Sequence, residues 1–220
     1  MLKNYIKVAL RNFWKNKSFS FINIAGLALS MAVCLVLIML IKDANNYDKF
    51  HSNSDRIYRI NTEALRKEGG SESYASSPYV VGATLASSYT GIEEWTMLNS
   101  RLRTDIEADK RKFSVNMHFT NASFFNLFAF TFKEGNAASL NEPNTIVLTN
   151  ELSEKLFPGG NAIGKTVNLN NAGLFKVTGV LNKFPGKTHF EFDALGSFAT
   201  IPVLEKNNAV DKTLSNWLNY

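Results

Sequence analysis

The sequence predicts an α+β protein held to a membrane by one helix near its N-terminus. Three features carry that prediction. A run of twenty residues without a charge, Ile22–Ile41, follows a basic lead. The rest of the chain mixes short strand-like and helix-like segments. Those segments keep no strict strand–helix–strand repeat, which separates α+β from α/β. The chain therefore divides into 1–20, an amphipathic helix at the cytoplasmic face, 21–43, a transmembrane helix, and 44–220, a folded domain on the other side.

The apolar run INIAGLALSMAVCLVLIMLI covers about 30 Å at about 1.5 Å per residue, the thickness of a hydrocarbon core. Asn23 and Ser30 are its main polar side chains. Gly26, Ala28, Ser30 and Ala32 form a patch of small residues suited to close packing against another membrane helix. A buried helix in a soluble protein is the first rival reading, but helices of that kind are rarely this long without a charge. A cleaved signal peptide is the second. Its apolar region is shorter and ends in a small-residue cleavage site, whereas this run passes into IKDANNYDKF. An uncleaved anchor is the better reading.

Upstream, Lys3, Lys7, Arg11 and Lys15 recur every fourth residue and form one stripe on a helix. Tyr5, Ile6, Ala9, Leu10, Phe13 and Trp14 fill much of the remainder. That pattern predicts an interfacial helix with its cations towards anionic head groups. The plainer alternative is a solvated basic helix. Both put the positive end in the cytoplasm and the body outside it.

The formal net charge is +5, with 45% hydrophobic and 20% charged residues. This excludes a disordered tail and a protein of many spans. Six of the 24 basic residues fall in 1–42, which has no acidic residue, so the remaining 18 face all 19 acidic ones. The body is near neutral and offers no electrostatic basis for binding nucleic acid. The single cysteine, Cys34, lies in the apolar run, which excludes an intrachain disulfide and thiol catalysis.

Along the body, RIYRINTEAL alternates like a strand. RKEGGSESYASS is polar and rich in Gly and Ser, and reads as a loop. Ser77 and Pro78 suit a helix cap and first position, with the helix running through VVGATLASSY. EEWTMLNSRLRTDIEA and KRKFSVNMHFT read as two strands joined at Ala108–Asp109. Asn121 opens a short apolar helix, ASFFNLF, suited to a core. TIVLT is a short strand. Asn150 is a candidate cap for the helix ELSEKLF, which Pro158-Gly159-Gly160 ends. KTVNLNN and LFKVTGVLNKF are strands with a turn near Asn171–Gly173, and HFEFDALGSFATI is a further strand region.

The sharpest chemical motif is Gly159-Gly160-Asn161-Ala162-Ile163-Gly164-Lys165-Thr166, which matches the phosphate-binding pattern G-x-x-x-x-G-K-[ST]. Gly159, Gly164, Lys165 and Thr166 are its defining positions. The motif needs a strand before it and a helix starting at the lysine, so that backbone N–H groups face the phosphates. Here the lead-in is helical and TVNLNN follows as a strand. The match therefore reads as a false positive, a Gly-rich turn with no nucleotide and no other cofactor. His51, His118 and His189 lie far apart in sequence and in unlike surroundings. Asp48, His51 and Asp55 are close enough to touch a metal, but in a polar segment they read as plain surface, so no metal site is expected. No G-x-S-x-G elbow occurs and no catalytic residue is expected.

Two long blocks carry a family resemblance. NYIKVALRNFWKNKSFSFINIAGLALSMAVCLVLI followed by YDKFHSNSDRIYRI resembles the start of an FtsX/MacB-type ABC transporter permease. ASFFNLFAFTFKEGN, LNEPNTIVLTNELSEKLFPGGNAIGKTVNL and FKVTGVLNKFPGKTHFEFDAL resemble that family's periplasmic core domain. The resemblance implies that 44–220 is a MacB-like periplasmic core domain and that the chain sits in the cell inner membrane. It implies a non-catalytic permease subunit that couples cytoplasmic ATP hydrolysis to periplasmic movement, for export or for handling lipoprotein, peptide or drug. The implied partners are a cytoplasmic ABC ATPase subunit, a second permease copy, membrane lipids, and a periplasmic adaptor or lipoprotein cargo. Family permeases continue with at least three more membrane helices, so the stop at SNWLNY reads as a truncation within the domain. A single-pass periplasmic binding or sensing module without transport activity is the alternative.

Overall fold

The computed structural model describes residues 2–51, 54–66, 69–170 and 172–204. The stop at SNWLNY lies outside them. The chain forms two compact units, residues 1–47 and 48–220.

The first unit is two helices. α1 spans Leu2–Lys15 and α2 spans Lys17–Ala44. Asn16 interrupts them with φ −117° and ψ 57°, outside the helical region. Lys17 Nζ lies 5.5 Å from the centre of the Trp14 ring, a cation over an aromatic face. α2 is long and apolar enough to cross a membrane, and none of its residues is buried within the protein. Helical hydrogen bonding satisfies its backbone internally, which is what a hydrocarbon environment demands.

The second unit is built on β-structure. A short 3₁₀ turn at Ser54–Arg56 precedes β1, Thr62–Leu65, which pairs antiparallel with β2, Ser71–Tyr74. The predicted strand from Arg56 is thus confined to its last four residues, and part of the predicted loop is a strand. Gly69 and Gly70, both with positive φ, turn the chain between them. α3, Val81–Ser88, starts three residues after Pro78, and no side chain caps it.

β3, Leu98–Ala108, and β4, Arg111–Thr120, form a long hairpin. Asp109 and Lys110 join them with φ of 48° and 66°, the mirror-image turn that matches strand twist. α4, Ser123–Phe128, follows, then β5, Phe132–Gly135, an element the sequence reading did not contain. β6 is Thr145–Leu148 and α5 is Asn150–Leu156. The cap of α5 is Thr149, whose hydroxyl accepts from the Leu152 N–H; Asn150 instead binds Lys133 and Glu154 through its side chain. β7, Thr166–Leu169, and β8, Gly173–Leu181, complete a second hairpin. β9 is only Ala194–Ser197, followed by a 3₁₀ turn and α6, Ile201–Leu204.

Seven strands lie in the order β5-β8-β6-β9-β4-β3-β7, and β7 also pairs with β8. Six of them therefore close into a ring, with β5 attached to the outer end of β8. β4 with β9 and β6 with β8 are parallel, and the other pairs are antiparallel. Alternation along each strand sorts side chains to two sides. Ile106, Val115, Met117, Phe119, Ile146, Leu148, Val167, Phe175 and Val177 fill the inside, closed by Leu152 and Leu156 of α5. Val147, Leu181 and Leu195 point the other way and meet Phe124, Phe125, Phe130 and Phe192 in an outer aromatic layer. A register shift in the β6–β8 pairing, where Ile146 meets Val177 but Val147 meets Gly179, lets both patterns continue on β8.

Candidate functional site

The Gly159–Thr166 loop hangs between α5 and β7. Four of its backbone donors are already engaged. The N–H groups of Gly160, Gly164 and Lys165 donate to the carbonyls of Phe157 (3.1 Å), Val177 (2.8 Å) and Ala162 (3.2 Å). The Ile163 N–H donates to Asn161 Oδ1 at 2.7 Å. A phosphate cradle needs such donors aimed at a common point and left open for the ligand. Lys165 Nζ stands 4.5 Å from the Phe157 ring centre, and Thr166 opens β7 opposite Lys176. The loop thus leads from a helix into a strand. Gly159 and Gly164 take φ of 67° and 81°, which explains two of the motif's glycines as turn residues.

The histidines depart from expectation. His51 is not surface: it is 4% exposed and packs among Phe50, Phe128, Phe130 and Phe190. Most of its neighbours in sequence are polar, but the aromatic layer it enters comes from residues 124–130 and 184–192. Nor do His51 and His189 lie in unrelated places. Both approach Asp48, across 141 residues in the case of His189. Only His118 stays apart, its Nε2 donating to the Glu191 carbonyl at 3.2 Å. Asp55 is exposed in the 3₁₀ turn and does not join the group.

Asp48 takes a positive φ of 57°. Its N–H donates to the Lys187 carbonyl at 2.9 Å. Its carboxylate accepts from the His189 backbone N–H at 3.2 Å, the His189 ring Nδ1 at 2.5 Å and the Thr188 hydroxyl. Partial burial works to raise the Asp48 pKa. The bonds from Thr188 and His189 outweigh it and hold the carboxyl below its ordinary range. A local signal for this contact is missing from the sequence, since its partners come from opposite ends of the domain. Among the described residues no group of three His, Cys, Asp or Glu side chains has a geometry to hold a metal ion.

α2 offers a further candidate surface, with Leu27, Leu29, Met31, Val33 and Leu35 to Ile41 exposed along it. Burying such a face in lipid is favourable by about 25 cal/mol per Å².

The profile of the MacB-like periplasmic core domain family matches residues 20–216. Among solved structures, the chain is similar to a domain of a protein described as a permease from Porphyromonas gingivalis. The TM-score is 0.62 at 19% identity, over 74% of this chain and 72% of that one. It is also similar to the periplasmic region of MacB from Actinobacillus actinomycetemcomitans (TM-score 0.49, 17% identity, 61% of each chain). A third likeness is to the extracellular domain of YknZ, a noncanonic ABC-type transporter of Gram-positive bacteria (TM-score 0.49, 12% identity, 61% of this chain and 68% of that one). No curated protein matches the chain.

Proposed function

The chain belongs to the MacB-like periplasmic core domain family, and from that membership we propose that it works as the membrane-anchoring and periplasmic part of an ABC transporter permease subunit. One observation carries the reading. An apolar helix, Lys17–Ala44, with basic residues before it, leads directly into a domain of this family. In this reading α1 lies on the cytoplasmic face of the inner membrane, its basic stripe against anionic lipid. A cytoplasmic ATPase subunit binds and hydrolyses ATP. Its closure moves the permease helices of a dimer, and the folded ring outside the membrane moves with them to act on an adaptor, a lipoprotein or another cargo.

The same reading leaves the Gly159–Thr166 loop without nucleotide. Its committed N–H groups and the strand that follows support that assignment. Chemistry is left to the partner ATPase.

A reporter enzyme that is active only outside the cytoplasm, fused after residue 60, tests the orientation. Activity is expected. A silent fusion, paired with an active cytoplasmic reporter at the same position, would overturn the reading. Capture of an ABC ATPase subunit by the full chain in detergent tests the partnership, and its absence would favour a free-standing module.

A further inference from the structure

His51 has an acceptor at each ring nitrogen. Nδ1 bonds the Phe128 carbonyl oxygen. Nε2 lies 3.5 Å from Asp48 Oδ1 and makes no hydrogen bond. A carbonyl and a carboxylate can only accept. A neutral imidazole has one N–H, so it serves one of the two and turns a lone pair to the other. An imidazolium has two and serves both.

The other half of the arrangement is the segment 182–193, which crosses this region as a strap. Lys187, Thr188 and His189 hold Asp48 from the strap side through the bonds described above. Phe50 covers Gly186 so closely that a Cβ there would lie 3.1 Å from its ring. Phe190 packs on Phe128 at 4.5 Å between ring centres. The strap is thus tied to the turn 48–51 by one carboxylate and a set of rings, and only three residues separate that turn from the end of α2 in the chain.

We propose that Asp48, His51 and His189 form a proton-operated clasp, which fastens the strap 182–193 to the turn 48–51 more firmly when the His51 ring is protonated. The titratable group beside His51 is Asp48 from its own turn, and His189 reaches the same carboxylate from the strap; Lys49 follows Asp48 in the chain, and Lys187 and Glu191 flank His189 along the strap. The stretch 121–132, which includes α4, has no charged side chain and contributes phenyl rings and the Phe128 carbonyl. Asp48, held anionic by its partners, keeps its charge through the range in which histidines titrate. Acidification therefore places a cation beside a fixed anion and supplies the N–H that Nε2 lacks. Burial opposes the charged ring. The carboxylate and the carbonyl supply an acceptor for each of its N–H groups.

The full chain in lipid nanodiscs is the material for the test. Nitrogen NMR of the ring reads its protonation, and hydrogen exchange of the Asp48 and His189 amides reads the clasp. The result expected is a second ring hydrogen on His51, gained as the sample is taken from about pH 8 to about pH 5.5, the interval that spans ordinary histidine behaviour. Protection factors, corrected for intrinsic exchange, rise about tenfold on acidification, the scale of one charge-assisted hydrogen bond. His51→Phe keeps the aromatic packing and abolishes the rise, while His189→Gln retains part of it. A His51 ring that stays singly protonated throughout would overturn the clasp. So would protection that falls on acidification, or a rise that survives in His51→Phe. Should His51→Phe not fold, the ring protonation and exchange of the unaltered chain decide the matter alone.

Discussion

Phe132 of β5 lies diagonally over Gly179 of β8, and its ring occupies the space a side chain at 179 would need. A Cβ on Gly179 would stand 2.7 Å from Phe132 Cε1 and 3.1 Å from Val147 Cγ2. Gly179→Ala is therefore expected to destabilise the domain by about 1–3 kcal/mol through overpacking. Urea unfolding of the full chain checks this, and an unchanged midpoint would show that the ring moves aside freely.

Phe124 sits at the centre of the outer aromatic layer, fully buried and stacked on Phe130 with 5.4 Å between ring centres. Truncation to alanine leaves a cavity that the surrounding rings fill only in part. The expected loss is about 3–5 kcal/mol. Thermal unfolding followed by near-ultraviolet circular dichroism reports it.

Thr149 and Asn150 stand side by side at the start of α5 but do different things. The Thr149 hydroxyl accepts from Leu152 N–H. Thr149→Ala is expected to cost about 0.5–2 kcal/mol, the range for a lost cap. Asn150→Ala, which removes only exposed side-chain bonds, is expected to cost less. Equal losses in chemical denaturation would reverse the assignment of the cap.

Asp48 lies below its ordinary value of 3.8 in the folded protein. A depressed carboxylate contributes stability that is complete above the unfolded value and disappears as pH falls through the folded one. The stability gap between the unaltered chain and Asp48→Asn is thus expected at pH 5 and to close in acid below 3.8. Unfolding midpoints measured down that range show the closure; a gap that widened would refute it.

Lys165→Ala tests the phosphate-like motif. The variant is expected to leave nucleotide titrations unchanged, and to lose about 0.5–1 kcal/mol of stability with its contact to the Phe157 ring. Calorimetric titration with ATP and magnesium is the direct measurement, and any binding that vanished with the lysine would restore the motif's usual meaning.

Legibility in the sequence followed the strength of local patterning. β3, β4, β7 and β8 were plain because apolar residues alternate along them, and α4 and α5 because their apolar faces are dense. β2 was missed because Ser71-Glu72-Ser73-Tyr74 has no apolar face to alternate, being paired with β1 outside the main sheet. β5 is four residues ending in a glycine, too short to stand out. The meeting of Asp48 with His189 was illegible for a different reason. Nothing near either residue reports a partner 141 positions away, and only the closure of the aromatic layer brings them together.

The second pairing of β7 has a mechanical meaning. A strand at the margin of an open sheet can be peeled away one bond at a time, but β7 is gripped from both flanks. Loosening any strand of the ring requires two ladders to fail at once. The circuit thus leaves no bare margin along the ring, and its narrowest link is the two residue pairs that join β3 to β7.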